Sequence, residues 1–367
     1  MKFLLISPKN RTVYNFRGEL IREIQKKGYE VLVTGPDRTD VDRIEALGAR
    51  FLEIPMNKTG TSILGDLGYC KKLFSLIRAE KPTVTLGYTV KPVVYGAIAA
   101  RIAGVENINS LITGGGYTFI SSSVKAKVLG FLVRCLYRIG LHASNHVIFQ
   151  NSDDRQEFCA RKLAPEKNSY VVNGSGVDLS HFQPTPLPDT PTFFMLSRLL
   201  KSKGVGEYLE AARIVKAEFP QTRFLLLGKY EYNMQDGLDK DYVESFVRDG
   251  TIERFDETSD VRPYYGMCSV YVLPSYREGM PRTVLEAMAM GRPILTTDTY
   301  GCRDTVREGE TGFLVPIKDV SSLTDKMLWF LEHPEQIPLM GGKSRTLAEE
   351  RFDVKKINAD MLRYMQL

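Results

Sequence analysis

Residues 269–293 hold a strand, a glycine turn and a helix start in immediate succession, and that order narrows the possible folds more than any other feature. The run Ser269-Val-Tyr-Val-Leu273 is apolar and rich in β-branched and aromatic residues, so it reads as a buried strand of a parallel sheet. Pro274 and Ser275 end it. Gly279 has no Cβ and lets the backbone come close to a ligand. Pro281 suits the first helical position, where its missing N–H is no loss. Leu285, Glu286, Ala287, Met288, Ala289 and Met290 favour a helix, which Gly291 and Pro293 stop. Such a unit turns helix N–H groups outward at the carboxyl edge of a sheet, an anion site suited to diphosphate.

The same alternation runs through the chain. Strands are expected at Phe3–Ile6, residues 30–34, Phe51–Ile54, Val84–Leu86, Val147–Gln150, Thr192–Leu196, Arg223–Leu227 and Ile294–Thr297, with helical patterns between them. That pattern predicts an α/β protein with parallel sheets. At 367 residues it should split into two domains, each with its own core. Prolines 184, 186, 188 and 191 mark an interdomain linker over 183–191. The expected division is a first domain over 1–182, a second over 192–350, and a terminal helix in 351–367.

Composition excludes several classes. A hydrophobic content of 43% with 25% charged residues is that of a globular protein. Five widely spaced cysteines without a C-x-x-C pair point to a reducing compartment, and the four histidines lack ligand company, so no metal site is expected. Met1–Ser7 reads as a first strand and no run reaches the length of a transmembrane helix, so a cytoplasmic location is expected. Charge is uneven: residues 1–180 hold 25 Lys and Arg against 16 Asp and Glu, the remainder 24 against 28. The basic first half calls for an anionic partner. No nucleic-acid motif is present, so a membrane surface or a diphosphate-linked acceptor fits better. Residues 123–142 form an amphipathic basic helix with Lys127, Arg134 and Arg138 on one face, suited either to a lipid interface or to ordinary core packing.

Two carboxylates, Glu278 and Glu286, flank the glycine turn, and Arg198 and Lys203 follow the strand that opens the second domain. The glutamates, seven residues apart with Gly279, Pro281 and Leu285 between them, resemble the E-x7-E signature of retaining GT-B glycosyltransferases of family 4. Leu273-Pro-Ser-Tyr-Arg-Glu-Gly279, Gly301-Cys-Arg-Asp304 and Gly309-Glu-Thr-Gly-Phe-Leu-Val-Pro316 are similar to the neighbouring words of that family. The resemblance implies two Rossmann-like domains facing across a cleft. It implies that Glu278 contacts hydroxyls of the donor sugar, that Glu286 holds the ribose, and that Arg198 and Lys203 hold the diphosphate of a UDP-sugar. Gly279, Met280, Pro281, Arg282, Thr283, Gly18 and Gly228 are further donor-side candidates. No cofactor is expected beyond the UDP-sugar, a donor substrate.

Three segments are acceptor-side candidates: Arg17 beside Gly18, in an expected turn between first strand and first helix, which only the resemblance implies; Lys91, at a strand end; and Gly114, Gly115 and Gly116, in a glycine loop. The latter two segments resemble the bacterial branch of the family that builds sugars on polyprenyl diphosphate, including N-acetylgalactosaminyl- and galactosyltransferases. The resulting expectation is a peripheral-membrane transferase moving a hexose or N-acetylhexosamine from UDP to a lipid-linked glycan. A nucleotide-sugar epimerase and a non-catalytic sugar-nucleotide-binding protein are the alternatives.

Overall fold

The computed structural model describes every residue except 58–62, 115–123, 233 and 235, and omits the side chains of 63 and 124–129. The chain divides into two compact units, one of residues 1–175 with 354–367 and one of residues 176–353.

The first unit alternates strands β1 (Lys2–Ile6), β2 (Glu30–Gly35), β3 (Arg50–Glu53), β4 (Val84–Tyr88), β5 (Asn107–Ile112), β6 (His146–Phe149) and β7 (Ser169–Val171) with helices. The helices are α1 (Asn10–Lys26), α2 (Val41–Glu45), α3 (Ile63–Glu80), α4 (Ala97–Ala103), α5 (Val124–Ala143) and α6 (Ser152–Ala160), with a π-turn over Pro92–Gly96 before α4. All strand pairs are parallel, in the order β3-β2-β1-β4-β5-β6-β7. Successive side chains of a strand point to opposite faces. Accordingly Leu4 and Ile6 enter one apolar cluster with α3, α4 and α5, while Phe3 and Leu5 enter another with α1 and α2.

The second unit repeats the plan. Strands β8 (Thr192–Leu196), β9 (Arg223–Leu227), β10 (Glu253–Phe255), β11 (Val270–Leu273), β12 (Ile294–Thr297) and β13 (Gly312–Val315) form a parallel sheet in the order β10-β9-β8-β11-β12-β13. Helices α7 (Val205–Glu218), α8 (Lys240–Arg248), α9 (Arg262–Gly266), α10 (Arg282–Ala289), α11 (Val320–Glu332) and α12 (Gln336–Arg351) cover it. The last helix, α13 (Val354–Tyr364), packs in the first unit, where Tyr364 stacks on Tyr170 at 4.6 Å between ring centroids.

The proline-rich stretch 183–191 lies within the second unit. The buried guanidinium of Arg292 explains why: it donates to the Thr185 carbonyl at 2.9 Å, the Thr185 hydroxyl at 2.7 Å and the Pro186 carbonyl at 3.0 Å. A buried cation needs all its donors used, and a strapped-down backbone supplies the acceptors.

In each sheet the strand order reverses once, between β1 and β4 and between β8 and β11. Loops leaving the carboxyl ends of strands diverge at such a point and leave a crevice for a ligand. The second of these points receives the cation and carboxylate segments singled out from the sequence.

Candidate active site

After β8 the chain passes Arg198 and makes a single turn over Lys201–Lys203 before Gly204 opens α7. Gly204 has φ +73°, and a Cβ there would stand 2.0 Å from the Pro274 carbonyl oxygen, so only glycine lets this loop touch the one after β11. The contact is sealed by the Tyr276 N–H, which donates to the Ser202 carbonyl at 2.9 Å. With the loops locked together, the Lys203 ammonium donates to the Glu278 carboxylate. Fully buried Ser275 donates its hydroxyl to the same carboxylate oxygen at 2.7 Å. On the far side the Glu278 N–H donates to the Tyr300 carbonyl at 3.0 Å. Gly301, φ +75°, fits there because a Cβ would lie 2.5 Å from the Gly279 carbonyl oxygen.

Pro281 proves to be the capping residue of α10 rather than its first helical residue; its carbonyl accepts from the Val284 and Leu285 N–H groups at 3.0 and 3.3 Å. No side chain caps this helix, so Arg282 and Thr283 form a helix start of the kind that favours anions. One turn on, Glu286 has 12% of its side chain exposed. It accepts from Arg282 Nε at 3.1 Å and from the Tyr265 hydroxyl at 3.1 Å, and that hydroxyl also reaches the Thr283 carbonyl at 2.8 Å. Burial pushes the Glu286 carboxyl above the usual carboxylate range, against the opposing pull of Arg282 and Tyr265. Gly279 is buried and Met280 packs half-buried against the core.

Gly228, after β9, is a packing glycine, since a Cβ there would stand 1.8 Å from the Ser197 carbonyl oxygen. Arg198 is half exposed; Nη1 lies 3.9 Å from the Glu231 carboxylate and 3.6 Å from Met234 Sδ. The structure therefore joins Lys203 to Glu278, sets Glu286 against Arg282 and Tyr265, and gives Arg198 its contacts in a separate loop. Among the described residues no group of three His, Cys, Asp or Glu side chains gathers as metal ligands would.

In the first unit one expectation needs correction. Helix α1 starts at Asn10, so Arg17 and Gly18 lie in mid-helix and not in the turn after β1. Asn10 explains the early start: its amide donates to the Asp37 and Thr39 carbonyls at 2.8 and 2.6 Å and pins the helix to the β2 loop. Gly18 faces Leu47, 3.4 Å from an ideal Cβ, which makes it a helix-packing residue. Arg17 is nevertheless buried at the sheet's reversal point, with Nη1 3.0 Å from the Ser175 hydroxyl and its guanidinium carbon 5.3 Å from the Tyr88 ring centre. Lys91 pairs with Asp66, a carboxylate that Tyr95 also holds at 3.1 Å. Gly114 has φ +125°, and Gly115 and Gly116 lie outside the described residues.

Comparison with known proteins gives the family. The profile of the family described as glycosyl transferases group 1 matches residues 178–345, and that of glycosyl transferase 4-like proteins matches residues 2–151. The chain belongs to the GT-B glycosyltransferases. The transferase is 25% identical, over 90% of its own length and 90% of the relative's, to the N,N'-diacetylbacillosaminyl-diphospho-undecaprenol alpha-1,3-N-acetylgalactosaminyltransferase of Campylobacter jejuni. It is 24% identical, over 75% of its length and 73% of the relative's, to the UDP-Gal:alpha-D-GlcNAc-diphosphoundecaprenol alpha-1,3-galactosyltransferase of Escherichia coli. The crystal structure of Anabaena HepE in complex with UDP superposes with a TM-score of 0.81 at 17% identity, covering 100% of both chains. Sucrose-phosphate synthase from Thermosynechococcus elongatus gives a TM-score of 0.82 at 19% identity, covering 100% of this chain and 98% of that one.

Two side chains of the candidate site were not singled out for it from the sequence: Ser275 and Tyr265. Ser275 was visible only as a strand terminator, although the residue after a buried strand's last proline is well placed to enter a site. Tyr265 meets Glu286 across 21 residues of chain, a separation that no periodicity can reveal.

Proposed function

We propose that this transferase moves a hexosyl or N-acetylhexosaminyl group from a UDP-sugar to a sugar carried on polyprenyl diphosphate, with retention of the α configuration and without a metal. The observation that carries the reading is the pairing of Lys203 with Glu278 at the sheet's reversal point. It puts a diphosphate-seeking cation beside a carboxylate able to accept hydrogen bonds from sugar hydroxyls. In the reaction the bond from the sugar's anomeric carbon to the diphosphate oxygen breaks, and the bonding pair leaves with UDP. The acceptor hydroxyl oxygen bonds to the same face of that carbon and gives its proton to the leaving phosphate. Lys203, Arg198 and the start of α10 at Arg282 and Thr283 stabilise the departing charge. Glu286 holds the ribose. Arg17 and Lys91 are assigned to the acceptor side.

The lipid-linked acceptors in the names of the two relatives support this substrate class. So does the mixture of free cysteines, none in a disulfide, which suits work on the cytoplasmic side of a membrane. A thermal-shift screen of UDP-sugars followed by product analysis with polyprenyl-diphosphate sugars tests the reading. An α-linked product, formed equally in the presence of chelator, is expected. Conversion of donor to its epimer without acceptor would replace this reading with an epimerase.

A further inference from the structure

We infer that Asp236 is a positioning residue of this transferase, which anchors the turn that presents Lys203. The turn Lys201–Lys203 reads Lys-Ser-Lys, and none of its three side chains is buried, so apolar packing does not fix its place. Leu200, at the capping position, offers no side-chain acceptor to the N–H groups that open the turn. Asp236, in the loop after β9, supplies what Leu200 lacks. Its carbonyl accepts from the Lys201 N–H at 2.9 Å. Its carboxylate oxygen Oδ2 accepts from the Ser202 N–H at 3.3 Å and from the Ser202 hydroxyl. Donors from two consecutive residues of the turn thus end on one residue of a neighbouring loop.

That neighbouring loop is itself well held. The Leu199 N–H donates to the Lys229 carbonyl and the Leu238 N–H to the Leu199 carbonyl, both at 3.1 Å, so the two loops run side by side. Gly237 folds tightly inside the second of them, where a Cβ would stand 2.5 Å from the Glu231 carbonyl oxygen. The same loop brings Glu231 and Met234 against Arg198. Ser202 is then the point where three loops meet. Its N–H and hydroxyl face the loop after β9. Its carbonyl faces the loop after β11, accepting from the Tyr276 N–H at 2.9 Å, with the Ser275 hydroxyl 3.3 Å away. Lys203 is the next residue, so a shift of the turn would move its ammonium relative to Glu278.

The sign of the effect separates this role from a direct electrostatic one. Asp236 is an anion, so if it acted on a bound diphosphate through its charge alone, its removal would strengthen binding. As the anchor of the turn, its removal weakens binding, because Lys203 loses the place from which it meets the diphosphate. A misplacement of about 1 Å in such a group is enough to cost about 10²-fold in rate. This role depends on the proposed place of Lys203 at the donor's diphosphate, and adds to it the residue that sets that place.

The test is calorimetric titration of the full chain with UDP, which carries as product the charge that the leaving group gains, and with uridine, which carries none. Asp236→Ala should lower UDP affinity about tenfold and leave uridine affinity unchanged. Asp236→Asn keeps an oxygen for both Ser202 donors and should restore UDP affinity to within about threefold of the parent. Lys203→Ala alone should lower UDP affinity by roughly ten- to a hundredfold. Adding Asp236→Ala to it should cost no more than about a further twofold, since a residue acting through Lys203 then has nothing left to act on. Ser202→Ala removes one donor, keeps the backbone contacts and should cost about threefold, which serves as the test if Asp236→Ala does not fold. Urea unfolding shows which variants are folded. Tighter or unchanged UDP binding in Asp236→Ala, equal losses for UDP and uridine, an Asn variant as weak as the Ala one, or losses that multiply in the double variant each overturn the inference. The reading of the reaction survives all of these so long as Lys203→Ala alone weakens UDP binding; if it does not, both fall.

Discussion

Lys203 and Glu278 face each other as an ion pair, with about a fifth of the lysine side chain and a seventh of the glutamate side chain exposed. Both charges sit at loop junctions fixed by glycines that admit no side chain, so the pair is preorganised. In the proposed reaction the donor's diphosphate competes with Glu278 for the Lys203 ammonium. Ser275 then remains as the donor that keeps the Glu278 carboxylate in place. In the proposed reaction the resting ion pair keeps the two groups for different parts of one substrate.

Lys203→Ala should lower kcat by about 10²–10³-fold, the usual effect of removing one donor aimed at developing charge. The donor KM should rise by much less, because the charge on the leaving phosphate grows towards the transition state. Steady-state kinetics with saturating acceptor checks this, and an unchanged kcat would remove Lys203 from the chemistry.

Ser275→Ala separates sugar from nucleotide. A hydrogen bond to a charged group contributes about 1.5–3 kcal/mol, so affinity for the UDP-sugar should fall by roughly ten- to a hundredfold. Affinity for UDP, which lacks the sugar that Glu278 is assigned to hold, should stay the same. Calorimetric titration with both ligands decides it; equal losses for UDP and UDP-sugar would mean that Ser275 only supports the loop.

The parts of this molecule that were legible in the sequence are those written in short periods. The α/β alternation, the glycine turn before α10 and the spacing of Glu278 and Glu286 all lie within one or two elements. What was hidden depends on contacts between distant segments. The start of α1 is set by Asn10 reaching Asp37 and Thr39, so Arg17 fell inside a helix where a turn was expected. The ion pair of Lys91 with Asp66 joins a strand end to α3, a contact that no local spacing reveals. The direction in which α5 turns its apolar residues was undecidable, because it depends on a close approach at Gly140.

Glu286 gives a pH signature. Burial raises its carboxyl pKa in the folded chain, so folding favours the protonated form. The associated stability is fully present below the unfolded value of about 4.3 and is lost as pH rises through the raised folded value. Glu286→Gln mimics the protonated form at every pH. It should therefore melt above the parent at pH 8, with the gap closing towards pH 4, while its affinity for UDP falls because the ribose assigned to Glu286 meets a neutral amide in place of a charged acceptor. Differential scanning calorimetry across pH measures the gap. A variant less stable than the parent at pH 8 would show that Arg282 and Tyr265 outweigh the burial.

Gly301 and Gly309 offer a controlled comparison of strain with crowding. Both sit at positive φ, +75° and +72°, so alanine at either position carries a backbone penalty of about 1 kcal/mol or more. Around Gly309 nothing lies within 4 Å of the added Cβ, whereas at Gly301 it would meet the carbonyl oxygens of Gly279 and Glu278 at 2.5 and 2.6 Å. Gly309→Ala should lower the melting temperature by about 2–4 °C per kcal/mol and leave UDP-sugar affinity intact. Gly301→Ala must push the signature loop away from β12, so it should destabilise further and weaken UDP-sugar binding at least tenfold. Urea unfolding and ligand titration on the two variants check both halves. If the two alanines behave alike, the Gly301 contact does not position the loop, and the geometry of Glu278 is set by Ser275 and Lys203 alone.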